Sequence, residues 1–177
     1  MFRPVVAGLS LLSLACVGSL PARAADVDQA FFNSVFGRWS GPGEIVAGKY
    51  KGTKFVCDLS GLQTEKAVGM SLDGACRVGM FSQPMNATFT KGGSSYKGTF
   101  LDGSGGKGLD IVSGDVSGNK VVVGLDRKQL KGAMVARLED KNKLMITISV
   151  QVAGELVPVI GMTLKRDESV KRAALAD

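Results

Sequence analysis

The stretch Leu144-Met145-Ile146-Thr147-Ile148-Ser149-Val150-Gln151-Val152-Ala153 decides the fold. Leu144, Ile146, Ile148, Val150 and Val152 fall on one side of an extended chain, and Met145, Thr147, Ser149, Gln151 and Ala153 on the other. A period of two with one apolar and one mixed face is the pattern of a half-buried strand whose second face is wet. Gly154-Glu155 then turns the chain into a second strand, Leu156 to Lys165. Within it Pro158 has no N–H to give to a ladder, so it marks an edge or a bulge.

The same period recurs upstream, near 38–47, 50–59, 63–72, 75–82, 84–91, 95–101, 107–113, 119–126 and 132–139. Turn chemistry separates these runs. Lys91-Gly92-Gly93-Ser94, Asp102-Gly103-Ser104-Gly105-Gly106, Ser117-Gly118-Asn119 and Asp140-Lys141-Asn142 supply residues that tolerate positive φ. Short strands repeating every 8–12 residues or so, with short connections, predict an all-β antiparallel meander. Closing such a sheet removes its exposed edges. The expected fold is therefore an up-and-down β-barrel of about 8–10 strands with a short N-terminal helix. No internal repeat and no domain linker interrupts the pattern.

Asp26 to Phe36 has helical spacing. Val27, Ala30, Phe31, Ser34 and Val35 approximate one face, Phe32 and Phe36 widen it, and Gly37 ends it. Asp26 is placed to cap this helix, and Asp28 to favour its positive end. Ahead of it, Arg3, the apolar run Val5 to Leu20 and the small-x-small triplet Ala22-Arg23-Ala24 form the pattern of a cleavable signal peptide. The run is too short for a membrane anchor, which needs roughly 20 apolar residues. Cys16 lies inside the apolar run, after Ser13-Leu14-Ala15, and so lacks the setting of a lipid acceptor. The expected organisation is a signal peptide over 1–24, a helix over 25–36, a barrel over 37–166 and a polar tail over 167–177. The expected location is periplasmic or secreted, with no transmembrane segment after cleavage.

Cleavage after Ala24 removes Arg3 and Arg23 and no acid, leaving 20 basic and 16 acidic residues, a net charge of +4. That excess is spread along the chain, and aromatics amount to only 6% of residues. Nucleic-acid binders concentrate their bases and interleave aromatics for stacking, so no nucleic-acid partner is expected. A spanning barrel carries aromatic girdles, which one Trp and two Tyr cannot supply. Two cysteines remain, Cys57 and Cys76. In an oxidising compartment an even pair is most simply a disulfide, here a staple across neighbouring strands worth about 3 kcal/mol on the chain-entropy account.

The chain has no histidine, which removes the usual general base and the usual zinc ligand. The carboxylate pairs Asp102 with Asp110, and Asp115 with Asp126, fall mostly in turns or at strand ends, where solvated acids and Asx turns are common. Gly103 to Gly108 lacks the spacing of a phosphate loop. Asn86-Ala87-Thr88 fits a glycosylation sequon, a frequent chance triplet. No catalytic, metal or cofactor residue is assigned, and no cofactor is expected.

A Gly-x-Trp, Gly37-Arg38-Trp39, opens the first strand, and the last strand ends Met162-Thr163-Leu164-Lys165-Arg166. This resembles the calycin barrels: lipocalins, fatty-acid-binding proteins and avidins. The resemblance implies that Trp39 and Arg166 form a barrel-closing pair, with the guanidinium over the indole. The middle Thr-Asp-Tyr motif of lipocalins is absent. Trp39, Cys57 and Cys76 are also similar to the arrangement in small periplasmic metalloprotease inhibitors, which are shorter barrels.

These readings lead to a non-enzymatic, secreted or periplasmic barrel that binds a small apolar or lipid-like ligand. The alternative is an interaction module, a protease inhibitor or cell-envelope factor whose barrel is a solid scaffold for an envelope protein partner. A carrier predicts that 26–36 packs on the barrel; an inhibitor predicts a free N-terminal arm. Ligand-binding residues are not assigned by the sequence, and hollow and filled interiors both remain open.

Overall fold

The computed structural model describes residues 22–64, 67–101 and 109–167. The expected leader up to residue 21 with Cys16, the Asp102–Gly108 run and the tail beyond Asp167 lie outside the described residues. One helix, α1 (Ala22–Val35), precedes ten strands. These are β1 (Gly37–Ile45), β2 (Lys54–Gln63), β3 (Gly69–Val78), β4 (Phe81–Gly92), β5 (Ser95–Leu101), β6 (Leu109–Ser117), β7 (Lys120–Arg127), β8 (Leu130–Asp140), β9 (Lys143–Val152) and β10 (Glu155–Arg166). Each strand pairs antiparallel with its chain neighbours, and β10 returns to β1, so the sheet closes. The all-β, up-and-down barrel is the observed fold.

Strand β9 keeps the phase expected of it through Ile148. Leu144, Ile146 and Ile148 are buried, while Met145 and Gln151 are exposed. In β7, Val121, Val123 and Leu125 are buried in the same alternation. Inward side chains from all around the sheet meet in one continuous core. Most turns sit where the sequence puts them. Gly93 and Gly118 adopt positive φ at two of them, and the Asn142 amide donates to the Asp140 carboxylate at a third. Pro158 marks a bulge: its partner is Ser149, the next pairing is Ile160 with Ile148, and Val159 is the extra residue.

Three expectations are corrected. The break placed between 72 and 75 is not a turn, because Gly69–Val78 is one strand. Asp73-Gly74 has turn composition, yet Gly74 (φ +154°) lies against the β2 backbone, where any Cβ would overlap the Asp58 carbonyl oxygen. The residue serves close strand approach, and the turn comes later, at Gly79-Met80. The second strand starts at Lys54 rather than at 50, after a longer connection over 46–53. The helix begins at Ala22, so Asp26 lies within it and is not its cap.

The helical face is also rotated by one residue. Val27 and Ala30 are exposed, whereas Asp28, Phe31, Phe32 and Val35 are buried. Both faces have the spacing i, i+3, i+4, i+7, and the buried one differs in placing the Asp28 carboxylate in the core.

Candidate functional site

The antiparallel meander gives the barrel two distinct ends. At the first, where β1 begins and β10 finishes, α1 acts as a plug. Phe32 has no exposed surface, and its ring packs edge-on against Phe31, Phe89 and Tyr96, with centroids 5.5–5.6 Å apart. Asp28, 7% exposed, accepts hydrogen bonds from Lys91 Nζ and from the Tyr96 hydroxyl, the latter at 2.8 Å. An unpaired carboxylate there would be costly; an ammonium and a phenol on two neighbouring strands satisfy it. Burial, and then the hydrogen bond to Asp28, push the Tyr96 phenol well above its ordinary pKa. Sequence reasoning did not find this triad; the clue was Asp28 falling in helical phase with Phe31, Phe32 and Val35.

Trp39 and Arg166 come together at the same end. They are register partners on β1 and β10, and the guanidinium carbon lies 4.2 Å from the centre of the indole ring system. Arg166 donates to the carbonyl oxygens of Ser34 (2.5 Å), Phe36 (2.6 Å) and Lys141 (2.9 Å). Trp39 Nε1 donates to the Val35 carbonyl at 2.9 Å. The last carbonyls of a helix lack partners within it, so this pair both joins the first strand to the last and caps α1. Gly37, at φ +104°, allows the abrupt turn from helix to strand. Burial lowers the Arg166 pKa from its ordinary value.

Cys57 and Cys76 form a disulfide between register partners on β2 and β3. Cys57 has no exposed surface, and Cys76 lies on the wall of the lumen. Asp115 and Asp126 are not register partners. Asp115 lies opposite Val122, while Asp126 lies opposite Asp110, both on the outer face because the adjacent Ile111 and Leu125 are buried inside. Asp102 is outside the described residues. Asn86 sits in β4 and donates weakly to Asp73, at 3.5 Å, so the sequon lies on a strand.

Between the two ends the lumen is not filled. Beneath the plug lies a void of about 50 Å³ bordered by Phe31, Val35, Trp39, Leu59, Phe89 and Leu164, among others, with an almost wholly apolar lining. Towards the other end the bore widens into an open cavity of about 360 Å³. Its walls are Ile45, Phe55, Met85, Leu125, Ile148, Val150, Val159, Ile160 and Met162, with Val78 and Leu130 towards the mouth. Gln83, Arg127 and Ser149 supply a polar edge, Arg127 continuing the inward series Val121, Val123, Leu125 to the mouth. Phe100, 7% exposed, borders both spaces. Three features make the room. Ten strands enclose a wider bore than the eight that side chains alone fill. Gly43 carries no side chain where the Phe55 ring lies across it. The bulge at Val159 turns two successive apolar residues toward the cavity.

No described group of His, Cys, Asp or Glu side chains could hold a metal ion. Among the described residues no helix is long and apolar enough to cross a membrane.

No protein-family model matches this chain, and no curated protein matches it in sequence. It is similar in structure to Rv2717c from M. tuberculosis, with a TM-score of 0.58 and 13% sequence identity over 79% of this chain and 97% of that one. A protein of unknown function from the DUF3598 family of Nostoc punctiforme aligns at a TM-score of 0.49 and 17% identity, over 77% of this chain and 49% of its own. At such identity the likeness to Rv2717c is one of fold.

Proposed function

We propose that this chain is a non-enzymatic carrier that holds a small amphiphile with an apolar tail in the open half of its barrel. One observation carries the reading. The cavity of about 360 Å³ is lined almost entirely by apolar side chains, opens at one end and has an arginine at its edge. That volume and chemistry fall within the range of small-molecule sites, whose apolar walls are punctuated by a few polar groups. A tail would lie against Ile148, Val150 and Met162, and a polar or anionic head would meet Arg127, Gln83 and Ser149 at the mouth. The disulfide fits folding in an oxidising compartment, as expected of a secreted or periplasmic carrier.

The packing of α1 favours the carrier over the inhibitor. Phe31, Phe32 and Val35 are buried in the core, which supports a segment packed on the barrel over a free arm. The resemblance of Trp39 and Arg166 to the calycin closing pair points the same way, because in those barrels the pair closes one end.

The test is native mass spectrometry on protein purified without detergent, followed by solvent extraction. A discrete added mass that yields a lipid-like compound is the expected result. It should disappear in Met85→Trp, whose indole would occupy the cavity beside Phe100. A clean apo mass in the unaltered chain, or a guest retained equally by that variant, would refute the assignment.

A further inference from the structure

The large apolar side chains that remain exposed are not scattered over this barrel. They gather at the open end. Met80 and Phe81, at the β3–β4 turn, are 98% and 81% exposed. Tyr50 and Val46 stand in the connection after β1, Leu130 at the start of β8 and Leu156 at the start of β10, all exposed at the same rim. At the plugged end the corresponding set is Val27, Leu62 and Met145 among the described residues. A monomeric protein rarely leaves so many large apolar groups around one opening without a use for them.

Their polar neighbours are mainly cationic. Lys49, Lys51, Lys54, Lys128 and Lys131 are exposed around the same end; Lys54 and Lys131 lie opposite half-buried Glu44 and Asp126, Asp110 and Glu155 are exposed, and Lys49, Lys51 and Lys128 stand in the turns among the apolar tips. Arg77, also here, is tied to Asp58 in an ion pair. Apolar tips interleaved with lysines are the composition that seats a protein in the headgroup region of an anionic bilayer: the tips enter the acyl boundary, and the ammonium groups meet phosphate. From this charge complementarity we infer that the rim docks on an anionic phospholipid surface, mouth first. The surface is that of a membrane and not of a protein partner, because the apolar groups ring an opening and leave no face for a partner to cover. The inference deepens the carrier reading, since docking brings the cavity directly over the source of a lipid-like guest.

The sole tryptophan, Trp39, is buried at the plugged end, which makes a local probe available. Phe81→Trp places an indole at the exposed tip, where folding is not at stake and is checked by circular dichroism. With vesicles of brominated phosphatidylglycerol, the fluorescence of this variant should be quenched and that of the unaltered chain should not. Every protein tested carries the same N-terminus, so an apolar leader contributes equally to all. The triple variant Lys49→Gln, Lys51→Gln, Lys128→Gln on the Phe81→Trp background should weaken partitioning about fivefold per lysine lost, and high salt should do likewise. Absence of quenching, or equal salt-insensitive quenching by brominated phosphatidylcholine, would overturn the inference. The extraction experiment above is independent: a chain that carries a guest yet ignores vesicles refutes docking alone, and one that docks but is empty refutes the carrier alone.

Discussion

Phe100→Ala separates the structural reading of the lumen from the functional one. The Phe100 ring is 7% exposed and lies between the void of about 50 Å³ under the plug and the open cavity of about 360 Å³. Truncating a fully packed Phe costs about 3–5 kcal/mol, part of it lost transfer energy and part the new cavity. Here both neighbours of the ring are already voids, so it forfeits fewer contacts, and the cost should fall near 3 kcal/mol. With a urea dependence of about 2 kcal/mol per molar, the unfolding midpoint should drop by about 1.5 M. The second consequence is geometric. Removing the ring joins the two spaces, and the lumen then reaches to Trp39 and Leu164. Each methylene of a guest that enters the added length gains about 0.8 kcal/mol, close to fourfold in affinity. Titration of fatty acids of increasing length should therefore give an affinity that levels off in the unaltered chain and continues upward for two or three more carbons in Phe100→Ala. Equal plateaus in both proteins would refute the view that Phe100 limits the cavity. A midpoint unchanged within about 0.3 M would refute its place in the packed core.

Three further outcomes follow from the plugged end and the staple. The Tyr96 phenol has its pKa raised in the fold, so its contribution to stability is complete below about pH 10 and is lost as pH rises above that. Tyr96→Phe should cost about 1 kcal/mol at neutral pH but lose less stability between pH 9 and 11, as read by denaturant unfolding; parallel losses in both proteins would contradict the assignment. Arg166→Met strips three carbonyls of a charged donor and the indole of its cation, so it should cost about 3 kcal/mol or more and speed amide exchange in α1 before the barrel opens. Replacing Cys57 and Cys76 together by Ser should lower stability by about 3 kcal/mol without altering the far-ultraviolet spectrum, because the ladder between β2 and β3 pairs on both sides of the bridge.

Much of this architecture is legible in the residues, and the failures are instructive. Strands with a clean alternation, such as Lys143–Val152, were placed within a residue or two. Asp73-Gly74 misled because a glycine needed for close approach to β2 has the same composition as a turn. The helical face was misphased because a buried carboxylate is indistinguishable from a surface one until Lys91 and Tyr96, more than sixty residues away in sequence, are brought beside it. The lumen was legible only in part. The inward residues of β9 marked it as apolar, but Phe100, Arg127 and the rim around Met80 and Phe81 acquire meaning only once opposite ends of the barrel are distinguished.

What the sequence determined by itself is local: a period of two that assigns each side chain to a face, turn residues that link neighbouring strands, and a cysteine pair with no third partner in the segment expected to mature. Those features depend on backbone geometry over a few residues, and the chain carries them wherever it folds. Closure was decided by the tertiary structure, through the register that sets Trp39 against Arg166. So were the choice of plugged end and the volume left over. These depend on how many strands share one circumference and on contacts between residues at opposite ends of the chain, and no short window of sequence contains both partners.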